Sequence, residues 1–91
     1  SLRDMADKFK DRIKSGIVVL GAVNNGKALL IVVVTKDLLN RFHAGNIIKA
    51  VAAEVGGGGG GRPDMAQAGG PNPENLDTAI SKVYEIVQTA D

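Results

Sequence analysis

Ninety-one residues suffice for one small domain. A chain of this length buries only about 60–65% of the surface it exposes when unfolded, which leaves no room for a second core. Apolar residues make up 44% of the chain and aromatics only 3%, so the core must be built from Val, Ile, Leu and Ala, and a platform of bases stacked on Phe, Tyr or Trp is disfavoured. The absence of cysteine excludes disulfides and thiolate metal sites and makes a reducing cytoplasm the default expectation. A net charge of +1 is too small to attract polyanions through the overall field, so any nucleic-acid binding has to come from a local basic cluster.

The first element is an amphipathic helix with Leu2, Met5, Ala6, Phe9 and Ile13 on one face and charged residues around the rest. Ser1 and Asp4 suggest a capping box, and Gly16 a stop. Two β-branched runs follow, Ile17 to Val23 and Ala28 to Val34, separated by Asn24-Asn25-Gly26, whose residues tolerate the positive φ of a tight hairpin. Neither run alternates apolar with polar residues, so both are expected to be central strands. The longer apolar stretch, Ala28 to Val34, falls far short of the roughly 20 residues that cross a bilayer, so a soluble protein with no membrane partner is expected. Leu38, Leu39 and Phe42 mark a helical turn. A helix carrying Ile47, Ile48, Val51, Ala52 and Val55 then runs into six consecutive glycines, Gly56 to Gly61, which end it because each costs about 1 kcal/mol relative to Ala. Met65 to Ala68 reads as a short strand. Asn72-Pro73-Glu74 starts a last amphipathic helix through Leu76, Ala79, Ile80, Val83 and Val87 to about Ala90. The expected architecture is α/β, a small central sheet with packed helices in the order α-β-β-α-β-α, forming a single domain over residues 1–91.

The glycine run has three readings. It could be a flexible linker, a structural loop packed over Ala66, Ala68 and Gly69, or a binding loop whose bare N–H groups form a nest for phosphate oxygens. A dinucleotide fingerprint is excluded because the run follows a helix where that motif follows a strand. A nucleotide P-loop is excluded because Arg62-Pro63 stands where Gly-Lys-Ser or Gly-Lys-Thr is needed. Arg62 offers a planar fork for phosphate, or else an ion pair with Asp64 or Glu54. Lys36, Arg41, His43 and Lys49 form a second basic group around the start of the middle helix. Lys8, Lys10, Arg12 and Lys14 are interleaved with Asp7 and Asp11 and read as a solvated face. His43, the only histidine, matches no metal-ligand spacing and reads as the residue that starts a helix. Tyr84 reads as a packing residue with its hydroxyl at the surface. Ser1, Ser15 and Ser81 lack any adjacent base, so no catalytic constellation, metal site or cofactor is expected.

The stretch Val55 to Gly70, and above all Arg62-Pro63-Asp64-Met65-Ala66-Gln67-Ala68-Gly69-Gly70 after the glycines, resembles the glycine-rich signature of the C-terminal domain of alanyl-tRNA synthetases, within the wider DHHA1 family. The similarity extends to the first helix, the Val-rich hairpin, His43-Ala44-Gly45 and the closing helix. The resemblance implies a tRNA-binding appendage, not itself an enzyme, that contacts the outer corner of tRNA and helps link aminoacylation to editing in a cytoplasmic ligase. The implied partners are tRNA and the remaining domains of the synthetase, and a homo-oligomer is compatible with the sequence. It further implies RNA contacts by Gly58, Gly59, Gly60, Gly61 and Arg62, with Lys36, Arg41 and Lys49 as neighbouring basic groups. The alternatives are a substrate-binding accessory domain of a DHH-type phosphoesterase and a structural or dimerising module. Against the phosphoesterase stands Arg62, where that branch typically carries His after the glycines, and its metal-binding Asp and His residues belong to a separate domain.

Overall fold

The structure, a computed structural model, describes residues 2–89. Helix α1 (Leu2–Arg12) leads into the hairpin β1 (Ile17–Asn24) and β2 (Lys27–Val34). A 3-10 turn (Lys36–Leu38) and helix α2 (Ala44–Ala52) follow, and α2 tightens into a second 3-10 turn (Ala53–Val55). A second hairpin, β3 (Gly58–Gly61) and β4 (Met65–Gly70), precedes a 3-10 turn (Pro73–Asn75) and helix α3 (Leu76–Thr89). The α/β class and the order of helices and strands are those expected, with the glycine run supplying an additional strand. All neighbours in the sheet are antiparallel, in the order β1-β2-β4-β3.

The β1–β2 hairpin pairs in unbroken register from Ile17↔Val34 to Asn24↔Lys27. Its turn places Asn25 at φ 53° and Gly26 at φ 74°, the two positive angles of a type I′ turn, which matches the twist of the flanking strands. β2 lies between β1 and β4 and is covered on both faces, which explains its unbroken apolar run. β1 is an edge strand, contrary to the expectation that both runs are central: β4 occupies the other side of β2, and most of β1 is only half-buried.

On one face, Leu30, Val32 and Val34 of β2 pack with Ala66 and Ala68 of β4 against Ile47, Ile48 and Val51 of α2 and Ala79 and Val83 of α3. Each large aliphatic side chain buried there contributes about 1.5–3 kcal/mol. On the other face, Ile31, Val33 and Met65 meet Ala6 of α1, with Leu2, Val18 and Leu20 at the margin. This second core is thin. Met5, Phe9 and Ile13 were expected to face the interior but are 51%, 43% and 36% exposed. Their i, i+4, i+8 spacing sets them on one line of the helix, and it is the Leu2–Ala6 flank that turns to the sheet. The suggested cap at Ser1 and the helix end at Ala90 lie outside the described residues.

A polar clip joins the start of β1 to the end of β2. The Gly16 N–H donates to Thr35 Oγ1 (3.0 Å), and the Thr35 hydroxyl donates to Asp37 Oδ1 (2.6 Å). The Ser15 hydroxyl donates to Asp37 Oδ2. These donors, Ser15 first and Thr35 second, hold the Asp37 carboxyl below its ordinary pKa because they stabilise its charged form. Thr35, although buried, is therefore satisfied.

Candidate nucleic-acid interface

Gly58 to Gly61 neither loop out nor link separate units. They form the second edge of the sheet, in register with β4 from Gly58↔Gly69 to Gly61↔Ala66. Arg62 N–H donates to the Met65 carbonyl (2.9 Å), closing the hairpin, and Val34 N–H donates to the Asp64 carbonyl (2.9 Å). Antiparallel alternation then turns the main-chain groups of Gly58 and Gly60 toward β4 and those of Gly59 and Gly61 away from it. Gly58, Gly59 and Gly61 are exposed and Gly60 is half-buried. The linker reading is overturned, whereas close packing over Ala66 and Ala68 and an outward-facing set of main-chain groups coexist in one strand.

The two kinds of glycine in β3 differ sterically. A Cβ on Gly59 would run into the Gln67 carbonyl oxygen and stand 2.7 Å from Ala68 Cα, and one on Gly61 would stand 2.6 Å from the Met65 carbonyl oxygen. Gly57, just before the strand, would meet the Gly69 carbonyl oxygen. A Cβ on Gly58 would meet nothing within 4 Å, and one on Gly60 only Lys49 Cε at 3.9 Å. The fold requires the first set to be bare; the second set is bare without steric need.

The β3–β4 turn is docked on α2. Ala44 N–H, at the first turn of that helix, donates to the Pro63 carbonyl (2.8 Å), and a Cβ on Gly45 would lie 3.0 Å from the Gly61 carbonyl oxygen. His43 caps α2, accepting from Asn46 N–H at Nδ1 (3.2 Å). The sequence reading of His43 as a helix-starting residue holds.

Among the expected basic residues, Lys49 lies beside Gly60, and Arg62 lines the flank of Gly60 and Gly61. Arg62 Nε stands 3.4 Å from Asp64 Oδ1, with the two side chains 65% and 34% exposed, an ion pair of small energetic weight that leaves most of the guanidinium open. Glu54, the other candidate partner, pairs instead with Lys82 Nζ (2.5 Å) and raises the lysine pKa. Arg41 lies elsewhere, with its guanidinium 5.4 Å from the centre of the Phe42 ring, at the rim of a recess of about 440 Å³ shared with Leu39, His43, Ile47 and Ile86. That recess is larger than the one beside β3, but its floor is apolar. Lys36 is exposed on the 3-10 turn and lines neither recess. Tyr84, read as a packing residue, is 59% exposed. Arg3 escaped the sequence reading: it lines a recess of about 320 Å³ with Gly60, Gly61, Arg62, Met65, Ala66 and Gln67. Its position in the first turn of α1, far from the glycines in sequence, gave no signal. Among the described residues no three His, Cys, Asp or Glu side chains gather as metal ligands, and no helix is long and apolar enough to cross a membrane.

A small α/β domain with an exposed polyglycine edge and a basic fringe thus emerges from the geometry. The DHHA1 domain family matches residues 1–89, and the chain belongs to that family. It is 60% identical over 87 residues to the alanine–tRNA ligase of Desulfosudis oleivorans, covering 96% of this chain and 10% of that protein. Against the alanine–tRNA ligase of Natranaerobius thermophilus it is 56% identical over 89 residues, 97% of this chain and 10% of that one. The chain therefore spans about a tenth of the length of the curated relatives it matches. Among solved structures, the crystal structure of the C-Ala domain from Aquifex aeolicus alanyl-tRNA synthetase superposes with a TM-score of 0.86 at 33% identity, covering 93% of this chain and 77% of that one. The resemblance to the C-terminal domain of alanyl-tRNA synthetases is borne out.

Proposed function

We propose that this domain is the tRNA-binding appendage of an alanine–tRNA ligase, holding folded tRNA through its backbone and leaving aminoacylation and editing to other domains of the same protein. The observation that carries the reading is the edge of β3: main-chain groups of Gly59 and Gly61 turned away from the sheet, no side chains to shield them, and Lys49 and Arg62 beside them. Amide donors with adjacent cations suit phosphate oxygens, and recognition by shape and backbone requires no aromatic platform. Within this reading β3, Lys49 and Arg62 face the outer corner of the tRNA, and the domain helps couple the aminoacylation and editing units in the cytoplasm. Lys36 and Arg41, which lie apart from β3, contribute at most to the wider field.

Titration of tRNA against the chain at several salt concentrations tests this. Log affinity falls linearly with log salt, and Lys49→Ala and Arg62→Ala each lower the slope by about one if each residue neutralises one phosphate. Absence of binding at low salt contradicts the reading. A second role is favoured by the exposed line Met5, Phe9 and Ile13, an apolar surface suited to packing against the remaining domains of the synthetase. Measuring the thermal stability of Phe9→Ser in the isolated chain and in the full-length ligase checks this second role: the isolated chain holds or gains stability and the ligase loses it if the surface is internal to the larger protein.

A further inference from the structure

The recess between α1 and the β3–β4 hairpin is independent of the face that carries Lys49. Lys49 belongs to α2, which packs on the sheet face formed by Leu30, Val32, Ala66 and Ala68, whereas α1 covers the opposite face over Ile31, Val33 and Met65. The edge strand is therefore flanked by basic side chains on both sides. On the α1 side the recess, about 320 Å³, is lined by Arg3, Arg62, Met65 and Gln67 around the backbone of Gly60 and Gly61. Arg3 is exposed, and Arg62 stands with its Nε 3.4 Å from Asp64 Oδ1 while its side chain is 65% exposed. The nearest acidic side chains in sequence are Asp64, already paired, and Asp4 and Asp7 of α1.

We propose that Arg3 and Arg62 jointly clamp one phosphodiester of the bound RNA in this recess, and that Lys49 on the opposite side of β3 holds a different one, so that the RNA backbone crosses the glycine edge instead of lying on one face. This inference rests on the tRNA-binding reading. Two guanidinium forks lining one concave site suit the two charged non-bridging oxygens of a phosphodiester, because each fork can donate paired hydrogen bonds in its own plane. Gln67, exposed at the mouth, adds a neutral donor and acceptor without cancelling that charge. The absence of side chains at Gly58 and Gly60, which sterics alone do not demand, leaves the path over the edge open.

A double-mutant cycle with tRNA tests the clamp. Arg3→Ala weakens binding about 5- to 10-fold at physiological salt but lowers the salt slope by less than one, because Arg62 still neutralises the shared phosphate. If Arg3 and Arg62 share a phosphate, the Arg3→Ala/Arg62→Ala pair loses clearly less than the product of the single losses, whereas Arg3→Ala/Lys49→Ala is multiplicative. Arg3→Lys restores the slope but not the full affinity, because it keeps the charge and loses the fork. Thermal melts of each variant check that the fold survives; Arg3 is exposed in a first helical turn, where Ala is well tolerated. Affinity and slope unchanged by Arg3→Ala, while Lys49→Ala and Arg62→Ala lower both, would overturn the clamp and leave the tRNA reading intact. Multiplicative losses for Arg3 with Arg62 would overturn the shared phosphate. A parent chain that fails to bind tRNA at low salt overturns the underlying reading as well.

Discussion

The two hairpins of the sheet are built on opposite principles. β1–β2 is held by side chains: a type I′ turn sets its register, and Leu30 through Val34 are buried by neighbours on both sides and both faces. In β3–β4 the strand β3 is held to its partner by main chain, since it has no side chains at all and its contact with β4 depends on their absence at Gly59 and Gly61. The first hairpin supplies most of the sheet's buried side chains, and β3 supplies an exposed rim. A β-branched run at β3 would collide with β4, and a glycine run at β2 would leave the core empty.

Substitutions that exchange these principles should break the contrast. Leu30→Ala, at a fully buried site between α2 and α3, is expected to cost about 3 kcal/mol, read as a fall in urea midpoint without change in slope. Gly59→Ala, which drives a Cβ into the Gln67 carbonyl and Ala68, is expected to cost about 2 kcal/mol and to lower Tm by roughly 10 °C. Gly58→Ala, one residue away with nothing in reach, should stay within about 0.5 kcal/mol of the parent while weakening tRNA binding, because the added methyl stands over the open edge. Equal loss of stability for the two glycine variants would remove the distinction between them. The smallest effect concerns the clip that closes the first hairpin. Asp37, with its carboxyl pKa lowered by Ser15 and Thr35, contributes stability that is complete above the ordinary carboxylate pKa and is lost as pH falls through the lowered native value. Asp37→Asn should flatten that part of the acid limb of a stability–pH curve, and an unchanged limb would count against the clip.

The contrast also explains what the sequence could reveal. Asn25-Gly26 between two β-branched runs announces the first hairpin, and the 3.6-residue spacing of Ile47, Ile48, Val51 and Val55 announces α2, because in both cases side-chain pattern and backbone geometry are coupled. Glycine carries no pattern, so the strand at Gly58 to Gly61 was invisible as a strand, although its bare main chain was readable from composition. Periodicity in α1 revealed an apolar line at Met5, Phe9 and Ile13 but not whether anything within this chain covers it. Likewise β1 reads as central until β4 claims the far side of β2, a long-range pairing that local residues do not encode. Arg3 joined the candidate site only through tertiary structure, and Lys36 and Arg41 were set apart from it by the same means.

The central claim is that the outer main-chain groups of β3 meet the tRNA. Backbone amide resonances recorded during a tRNA titration test it most directly. Gly59 and Gly61 should shift or broaden first, ahead of Gly58 and Gly60, whose N–H groups are engaged with β4. Perturbations confined to the Arg41–His43 recess or to the outer line of α1, with all four glycine amides unmoved, would contradict it.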